Sequence, residues 1–316
     1  MGKRGNAIIT GGGGFIASHL AEKIQDKYDT IYLIDNFVRT GDDKYRNIKH
    51  LDSDKFVVIE KEVSKVNFYN FDNIEALYHL AATRINRCAK NPKEGHKMLA
   101  DAGFNVVNYC ANVGAKLFFA STASVYNNPK RFPIEESDPC EPHTIYGSAK
   151  YYTENLIRTY AKSHNLQYAI CRFFSVYGVR MDCEGAYTEI IFNWLDQIKE
   201  GNNKVTVYGD PDKKILDLVY VSDVVDAILK VTEDWNNDVY NVSTETGVSI
   251  TNLIKTIEEV LDVKLEISMV PENRTDIENK RIGSVKKLKE LGWTDKVDLS
   301  QGLIKTWNWI NDNKDR

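Results

Sequence analysis

The sequence has no long apolar run, and no stretch approaches the roughly 18 consecutive apolar residues of a membrane-spanning helix. No apolar segment follows the basic pair Lys3 and Arg4, so we predict no secretory leader. Neither sign of charge dominates: the chain has 41 lysines and arginines and 45 aspartates and glutamates, which gives a net charge of −4. That balance gives no basic surface for nucleic acid. We therefore expect a cytoplasmic protein that binds neither membranes nor nucleic acid.

Cysteine is also scarce, and its spacing indicates neither disulfides nor zinc. The five cysteines are odd in number and widely separated: Cys88, Cys110, Cys140, Cys171 and Cys183. There is no Cys-x-x-Cys pair and no paired histidine spacing of the kind that binds zinc. We therefore predict reduced thiols, as is usual in the cytoplasm, and no metal site.

Glycine, in contrast, is concentrated in one turn near the N-terminus. Residues 6–10 read as a short buried strand, and the pattern Gly11-x-x-Gly14-x-x-Ala17 leads into a helix. Residues without large side chains let the backbone approach a ligand, and the first N–H groups of a helix attract phosphate. The turn therefore predicts a dinucleotide site, although a glycine-rich loop that merely reverses the chain is the alternative.

An acidic residue stands where such a site needs one. Asp35 follows the predicted strand 30–34 and lies 21 residues after Gly14, close to the spacing of about 20 residues expected for an acid on the adenosine ribose. A carboxylate there accepts hydrogen bonds from ribose hydroxyls and repels a 2′-phosphate, which favours NAD over NADP. Arg39 lies near enough to leave NADP open.

A tyrosine and a lysine four residues apart indicate redox chemistry. Tyr146 and Lys150 would share one face of a helix, and Tyr146 stands 24 residues after Thr122. A phenol titrates near ~10, too high for a base at neutral pH, but a cation beside it favours the phenolate. A nearby hydroxyl could bind the same substrate oxygen. A Tyr-x-x-x-Lys spacing alone is weak evidence for a catalytic pair, because it occurs by chance in many helices. The predicted dinucleotide turn strengthens this interpretation.

The order of strands and helices predicts an α/β fold with a Rossmann-type, doubly wound parallel sheet. The predicted strands are 6–10, 30–34, 56–60, 76–80, 116–120 and 168–172, and the helices between them are 14–27, 92–112 and 147–164. The proposed chemical groups Gly11, Asp35, Ala81, Thr122 and Ser175 all follow strand ends. Beyond Gly178 the pattern is less regular. We predict helices at 186–200, from Ser222 to 234, from Ser249 to 262, one ending at Gly292 and one beginning at Ser300.

Seven motifs in order resemble those of the extended short-chain dehydrogenase/reductases, in the nucleotide-sugar epimerase and dehydratase group that includes UDP-glucose 4-epimerase-like proteins. They are Thr10–His19, Asp35-Asn36, His79–Ala82, Ser121-Thr122, Tyr146–Lys150, Arg172–Gly178 and Tyr220–Val225. The resemblance implies an NAD-binding domain at 1–172, with 206–235 returning to it. It also implies a smaller mixed α/β C-terminal domain for a nucleoside-diphosphate sugar, at 173–205 and 236–316. Helices 92–112 and 147–164 would form a homodimer interface.

The resemblance also implies roles for individual residues. Thr122, Tyr146 and Lys150 would be catalytic. The NAD-binding residues would be Gly11, Gly14, Phe15 and Ile16 at the pyrophosphate, Asp35 and Asn36 at the ribose, Glu62 and Val63 at adenine, and Leu80, Ala81, Ala82, Ser121, Tyr146, Lys150, Phe173 and Val176 elsewhere along the cofactor. We interpret His79 as a hydrogen-bonded structural residue. The sugar nucleotide would meet Ser175, Tyr208 and Arg274.

Two departures from the family pattern affect how the diphosphate would be held. Ser175 replaces the asparagine that commonly touches the sugar nucleotide, and Leu216 replaces the arginine usual before Asp217. An aliphatic side chain cannot neutralise phosphate. We therefore expect Arg274, which matches a later family arginine, to contact the diphosphate, with four weaker candidates: Arg180, Lys213, Lys214 and Arg281.

The residues after Thr122 bear on the reaction. Relatives that dehydrate or decarboxylate nucleotide sugars carry an acid within two positions of the catalytic threonine, but here Ala123 and Ser124 follow it. Dehydration needs a carboxyl acid and base. The sequence therefore favours oxidation and reduction at C4 by a 4-epimerase. The alternatives are a C4 dehydrogenase that releases the 4-keto sugar with NADH, and a non-catalytic NAD-binding scaffold or sensor.

Overall fold

The computed structural model describes residues 5–38, 43–51, 54–126, 129–181, 189–272 and 280–312. The strands are β1 (Asn6–Thr10), β2 (Ile31–Asp35), β3 (Phe56–Glu60), β4 (Ile74–His79), β5 (Lys116–Thr122), β6 (Tyr168–Phe173), β7 (Ser175–Tyr177), β8 (Lys204–Tyr208), β9 (Ile215–Tyr220), β10 (Asp238–Val242), β11 (Gly247–Ser249) and β12 (Glu266–Val270). The helices are α1 (Phe15–Ile24), α2 (Ile85–Lys90), α3 (Pro92–His96), α4 (Ala102–Val113), α5 (Ile145–His164), α6 (Glu189–Lys199), α7 (Val221–Asp234), α8 (Ile250–Leu261), α9 (Lys286–Glu290) and α10 (Leu299–Asp312).

Seven strands form one sheet in the order β10-β6-β5-β4-β1-β2-β3. Strands β5, β4, β1, β2 and β3 run parallel to one another. The inner strands are apolar and buried on both faces, as a sheet covered by helices on each side requires. The predicted α/β class and doubly wound parallel sheet are confirmed, and the six predicted strands lie within two residues of the observed ones.

The core beneath this sheet joins the strands to α4 and α5. Ile8, Leu77 and Leu117 from the strands pack with Val106 of α4 and Ile157 of α5, and all five side chains are fully buried. Each buried side chain of this size contributes about 1.5–3 kcal/mol relative to exposure. Burial therefore fixes both helices against this sheet.

Helix ends differ in detail from the sequence prediction. Ser249 caps α8 as predicted, since its side chain accepts a hydrogen bond from the backbone N of Asn252 (3.2 Å). The last helix begins one residue earlier than predicted, and Asp298 rather than Ser300 accepts from the backbone N of Gln301 (2.8 Å). Either residue type can cap a helix, so the sequence alone did not separate them. The short helix α2 was not predicted.

The chain divides into two compact units. The first comprises Met1–Asn127, Pro139–Arg172 and Val225–Tyr240, and the second comprises Asn128–Asp138, Phe173–Val224 and Asn241–Arg316. The sequence placed 206–235 in the first domain, whereas the division returns the chain to it at Val225. Strand pairing explains the difference, because β8 pairs with β12, and β9 pairs with β7 and β11, all in the second unit.

A buried carboxylate organises the second unit. Asp217 on β9 is fully buried, and its oxygens accept hydrogen bonds from the backbone N of Thr244 (2.7 Å), the hydroxyl of Thr244 (2.8 Å) and the backbone N of Gly283 (3.1 Å). Burial raises the pKa of Asp217 to about 6, although these hydrogen bonds oppose the rise. The carboxylate therefore holds two chain segments against β9. The same burial makes its ionised form less favourable.

We expect this carboxylate to make stability depend on pH. Its folded pKa lies above the unfolded value of ~3.9, so the fold binds the proton more tightly, and this contribution to stability grows as pH falls through the folded pKa. Between about pH 7.5 and 5, the wild type should gain about 1.4 kcal/mol of unfolding free energy relative to Asp217→Asn. Denaturant titration of both proteins measures this difference. An identical pH dependence of the two proteins would contradict the shifted pKa.

Candidate active site

The candidate site lies in the first unit, where α5 meets the end of β5. Thr144 caps α5 by accepting a hydrogen bond from the backbone N of Gly147 (3.0 Å). A Cβ on Gly147 would overlap the carbonyl oxygen of Ser124. Only glycine therefore lets the first turn of α5 lie directly against the 3-10 turn Ala123–Val125, which follows Thr122.

Thr122 is the last residue of β5 and caps that 3-10 turn. Its side chain is 8% exposed, and its Oγ1 accepts a hydrogen bond from the backbone N of Ser124 (3.1 Å). The Thr122 hydroxyl hydrogen stays available for another acceptor, because in this bond the oxygen is the acceptor. The predicted catalytic threonine is thus fixed in orientation at the turn that contacts α5.

Lys150 is buried, with 3% of its side chain exposed. Its Nζ donates to the carbonyl oxygen of Ala120 (2.9 Å) and lies 4.8 Å from the ring centroid of Phe119. Both contacts suit an ammonium, since the carbonyl oxygen and the ring face are electron-rich. The cation is therefore held at the carboxyl end of β5, beside Thr122.

Tyr146 lies one turn before Lys150 on the same helix face. It is half-buried and packs, together with Ala82, against the apolar group formed by Cys88, Leu99, Ala100 and Ala149. Tyr146 is thereby held beside the segment that follows β4. The structure thus gathers the three predicted catalytic residues around the start of α5.

His79 ends β4 and is buried next to this group. Its Nδ1 shares a hydrogen bond with Thr10 Oγ1 (2.6 Å), and its ring stacks on Phe119 with 5.6 Å between centroids. Burial, and then the charge of Lys150, lowers the pKa of His79 to about 3. A neutral imidazole of this kind is a structural residue, in agreement with the interpretation of the sequence.

The glycine turn has the form that a pyrophosphate requires. Gly11 has φ +70°, and a Cβ on it would lie 2.8 Å from the backbone N of Ala81. Gly14 is the N-cap of α1 and makes no side-chain cap, so no N-cap side chain competes for the first N–H groups of the helix, including those of Phe15 and Ile16. A dinucleotide phosphate fits this turn, because the glycines let the backbone approach a ligand and the first N–H groups of a helix attract phosphate.

Asp35 stands over the same turn at the end of β2. One carboxylate oxygen accepts from the backbone N of Gly13 (3.1 Å), and the other accepts from the backbone N of Phe37 (2.8 Å). The Asn36 side chain accepts from the backbone N of Val38 (3.3 Å). The acid is therefore fixed beside the glycines, as a ribose contact requires, while Arg39 lies outside the described residues.

The other predicted cofactor residues of the first unit differ in burial and in their partners. Leu80 and Ala81 follow β4, against Gly11. Val63 is buried after β3, whereas Glu62 pairs with Lys65 (2.8 Å) and Lys97 (3.6 Å). The hydrogen bonds from Lys65 and then Ser64 hold the pKa of Glu62 below its usual range. Glu62 is therefore a carboxylate already engaged by neighbouring cations.

Ser121 was predicted to contact the cofactor, and that role stays a prediction. In the structure its buried hydroxyl donates to Glu154 Oε1 (2.6 Å). Glu154 and its partner Arg172 were missed as site-related residues. The sequence offered a clue, because Glu154 continues the four-residue spacing of Tyr146 and Lys150.

The second unit carries the other predicted residues. Phe173 ends β6, and Val176 pairs with Val219 in the parallel β7–β9 ladder, next to the half-buried Ser175. Tyr208 ends β8 with 52% of its side chain exposed. Arg274, the predicted diphosphate contact, lies outside the described residues.

Comparison with known proteins identifies the family. The sequence pattern of the NAD dependent epimerase/dehydratase family matches residues 7–243, well over half of this chain. The chain belongs to this family. NAD is accordingly its cofactor, and the glycine turn with Asp35 fits that group.

The similar proteins carry more than one activity. The chain is 29% identical to a provisionally named UDP-glucose 4-epimerase of Methanocaldococcus jannaschii, over 97% of this chain and 98% of that protein. It is 30% identical to UDP-glucuronic acid decarboxylase 6 of Arabidopsis thaliana, over 94% of this chain and 86% of that protein. The structure of UDP-glucose 4-epimerase from Thermotoga maritima with UDP-glucose has a TM-score of 0.89 and 29% identity, and covers 98% of this chain and 99% of that chain. The family of this chain is therefore one of enzymes that act on nucleotide sugars.

Three expectations about composition can be set beside the structure. Among the described residues, no helix is long and apolar enough to cross a membrane. In the same part of the chain, no cluster of three His, Cys, Asp or Glu side chains could hold a metal ion. Cys88, Cys110, Cys140 and Cys171 form no disulfide, and Cys183 lies outside the described ranges.

Replacing Gly11 by alanine should weaken NAD binding. The added Cβ would approach Ala81, and the φ of +70° would cost alanine about 1–2 kcal/mol. We expect the NAD dissociation constant, measured by calorimetry, to rise at least ~10-fold, which corresponds to about 1.4 kcal/mol.

Gly114→Ala is the matched control, because Gly114 has φ +74° with nothing within 4 Å of an added Cβ. It should lower stability through the same backbone strain while leaving the NAD dissociation constant unchanged. Wild-type NAD affinity in Gly11→Ala would show that this turn does not hold the pyrophosphate.

Proposed function

We propose that this protein is an NAD-dependent nucleotide-sugar 4-epimerase, which oxidises a nucleoside-diphosphate sugar at C4 and reduces the 4-keto sugar on its other face. One observation carries the proposal. Thr122, followed by Ala123 and Ser124, lies on the turn that contacts the helix of Tyr146 and Lys150. This arrangement supports the proposal, because the three residues proposed to oxidise an alcohol belong to two contacting segments and that turn carries no carboxylic acid for elimination.

Each residue has a defined role in this proposal. NAD, when bound, would supply the hydride acceptor for oxidation at C4 and the hydride donor for reduction of the 4-keto sugar. Tyr146, as phenolate, takes the proton of the C4 hydroxyl, and Thr122 hydrogen-bonds the same oxygen. The ammonium of Lys150 favours the phenolate and orients the nicotinamide ribose. A base must lie within hydrogen-bond reach of the proton that it takes, so the proposal requires the C4 hydroxyl to bind beside the start of α5.

The cofactor would be held by the residues predicted from the sequence. Gly11, Gly14 and the first turn of α1 would bind the pyrophosphate, and Asp35 and Asn36 the adenosine ribose. The other proposed contacts are Glu62, Val63, Leu80, Ala81, Ala82, Ser121, Phe173 and Val176. Since Glu62 already pairs with Lys65 and Lys97, its contact with adenine would have to leave those ion pairs intact.

The substrate would bind through the second unit. We propose contacts from Ser175, Tyr208 and Arg274, with Arg274 neutralising part of the diphosphate. The half-buried Leu216 stands where an arginine is usual, so the charge of the diphosphate must be met by other cations. This lost contact also supports a second candidate, a C4 dehydrogenase that releases the 4-keto sugar with NADH.

The experiment that separates these functions follows deuterium at C4. A thermal-shift screen with UDP, GDP, CDP and dTDP selects the base, and sugar variants of that nucleotide are then labelled at C4. We expect the label to stay at C4 of the epimer without accumulation of NADH. Tyr146→Phe should lower kcat at least ~100-fold, because it removes the general base.

Tyr160→Phe is the matched control on the same helix, because its hydroxyl donates only to Asn108 of α4 among the contacts described for it (3.2 Å). It should keep wild-type kcat. Reduced cofactor with a released ketone would favour the dehydrogenase. Binding of NAD with no turnover of any sugar would favour a non-catalytic scaffold or sensor, and full turnover by Tyr146→Phe would refute the assigned base.

We further propose a homodimer through α4 and α5 in the cytoplasm. Four large apolar side chains on or beside these helices are exposed by 39–45%: Phe104, Val113, Ile145 and Tyr152. Exposed apolar groups on two adjacent helices favour association. Light scattering should give twice the chain mass for the wild type and a lower mass for Phe104→Glu with Tyr152→Glu. A monomeric wild type at micromolar concentration would contradict this proposal.

A further inference from the structure

A buried polar network lies directly behind the candidate catalytic residues. The carboxylate of Glu154 on α5 is completely buried. It accepts hydrogen bonds from Ser121 Oγ (2.6 Å), from Arg172 Nε (2.9 Å) and Nη2 (2.7 Å), and from Arg158 Nη2 (2.8 Å). One carboxylate thus joins the end of β5, the end of β6 and its own helix.

Arg172 extends the network to the turn that carries Thr122. Its Nη1 donates to the hydroxyl oxygen of Tyr126 (2.7 Å), and its Cζ lies 4.7 Å from the ring centroid of Tyr126. Arg172 and Tyr126 are both buried. Because Ser121 precedes Thr122 and Tyr126 follows the turn, the network holds both ends of the segment 121–126.

The network also reaches the helix face of the catalytic pair. Glu154 lies one turn beyond Lys150 and two turns beyond Tyr146, so the three side chains form a single stripe on α5. Lys150 donates to the carbonyl of Ala120, and Glu154 accepts from the neighbouring Ser121. Two successive turns of α5 are therefore fastened to two successive residues of β5.

Glu154 and Arg172 are both charged at neutral pH. Burial alone would raise the pKa of Glu154, but the hydrogen bonds and charge of Arg172 outweigh it and lower that pKa. A buried ion pair is weak evidence for stability, since apolar residues of similar volume often serve equally well. The pair instead fixes geometry, because the two hydrogen bonds between Arg172 and Glu154 set both the distance and the relative orientation of the two side chains.

We infer that Glu154 is a positioning residue, which through Ser121, Arg172 and Tyr126 holds the Thr122 turn in register with Tyr146 and Lys150. This inference rests on the proposed function and adds a residue that does not touch the substrate. The opposing explanation is that the network only stabilises the fold. The two explanations differ in what happens to the reacting geometry when the network is weakened.

The test uses Glu154→Gln and Tyr126→Phe, with Tyr160→Phe as the control for loss of one tyrosine hydroxyl. For both network variants we expect kcat to fall at least ~10-fold while KM for the sugar and the NAD dissociation constant change less than ~2-fold, because misplacement of reacting groups by about 1 Å is costly. Tyr160→Phe should match the wild type in all three quantities. Circular dichroism below the melting temperature confirms that the assayed variants are folded.

A second readout does not depend on activity. Crystal structures of the wild type and both variants give the distance between Thr122 Oγ1 and Tyr146 Oη, which we expect to change by more than about 0.5 Å in the variants. If the wild type turns over no nucleotide sugar, the proposed function fails and this distance still decides the inference. If Glu154→Gln does not fold, Tyr126→Phe decides. A lower melting temperature with unchanged kcat and unchanged distance would overturn the inference.

Discussion

The buried ammonium of Lys150 is the constraint on which the candidate site depends. An ammonium with 3% exposure must find partners inside the protein, and it finds the Ala120 carbonyl and the Phe119 ring. Both belong to β5, so the need to satisfy this charge fixes α5 against the end of that strand. The same charge helps to keep His79 neutral. The site thus holds a cation beside Tyr146 without a second positive charge from His79.

The fold and the family fix the cofactor but leave the reaction to a few side chains. A fold of this type serves several chemistries, and this chain is similar to an epimerase and to a decarboxylase at nearly the same identity. The distinction that we propose rests on Ala123 and Ser124, which stand where an elimination enzyme needs an acid. In this proposal, the side chains of one 3-10 turn separate two reactions of a shared fold.

Much of the first unit could be predicted because its patterns are local. Several strands are continuous apolar runs, and the predictions of the turn Gly11–Gly14 and of Asp35 follow from backbone and ribose chemistry at fixed spacing. The start of α10 was predicted at Ser300, one residue too late, since Asp298 and Ser300 are both residue types that cap helices and only the observed hydrogen bond separates them. The helix α2 was missed because it is a single short segment, Ile85–Lys90, with no distinct periodicity.

The sequence by itself determined the strands of the sheet and the dinucleotide turn, and it predicts Thr122, Tyr146 and Lys150 as catalytic residues, since each pattern depends on local spacing along the chain. Only the tertiary structure decided that Ser121 donates to Glu154, and that Arg172 joins Glu154 to Tyr126. The tertiary structure also decided that the chain re-enters the first unit at Val225, because β8 and β9 pair with strands of the second unit. Such pairings join residues far apart in the chain, and geometry rather than spacing selects the partner.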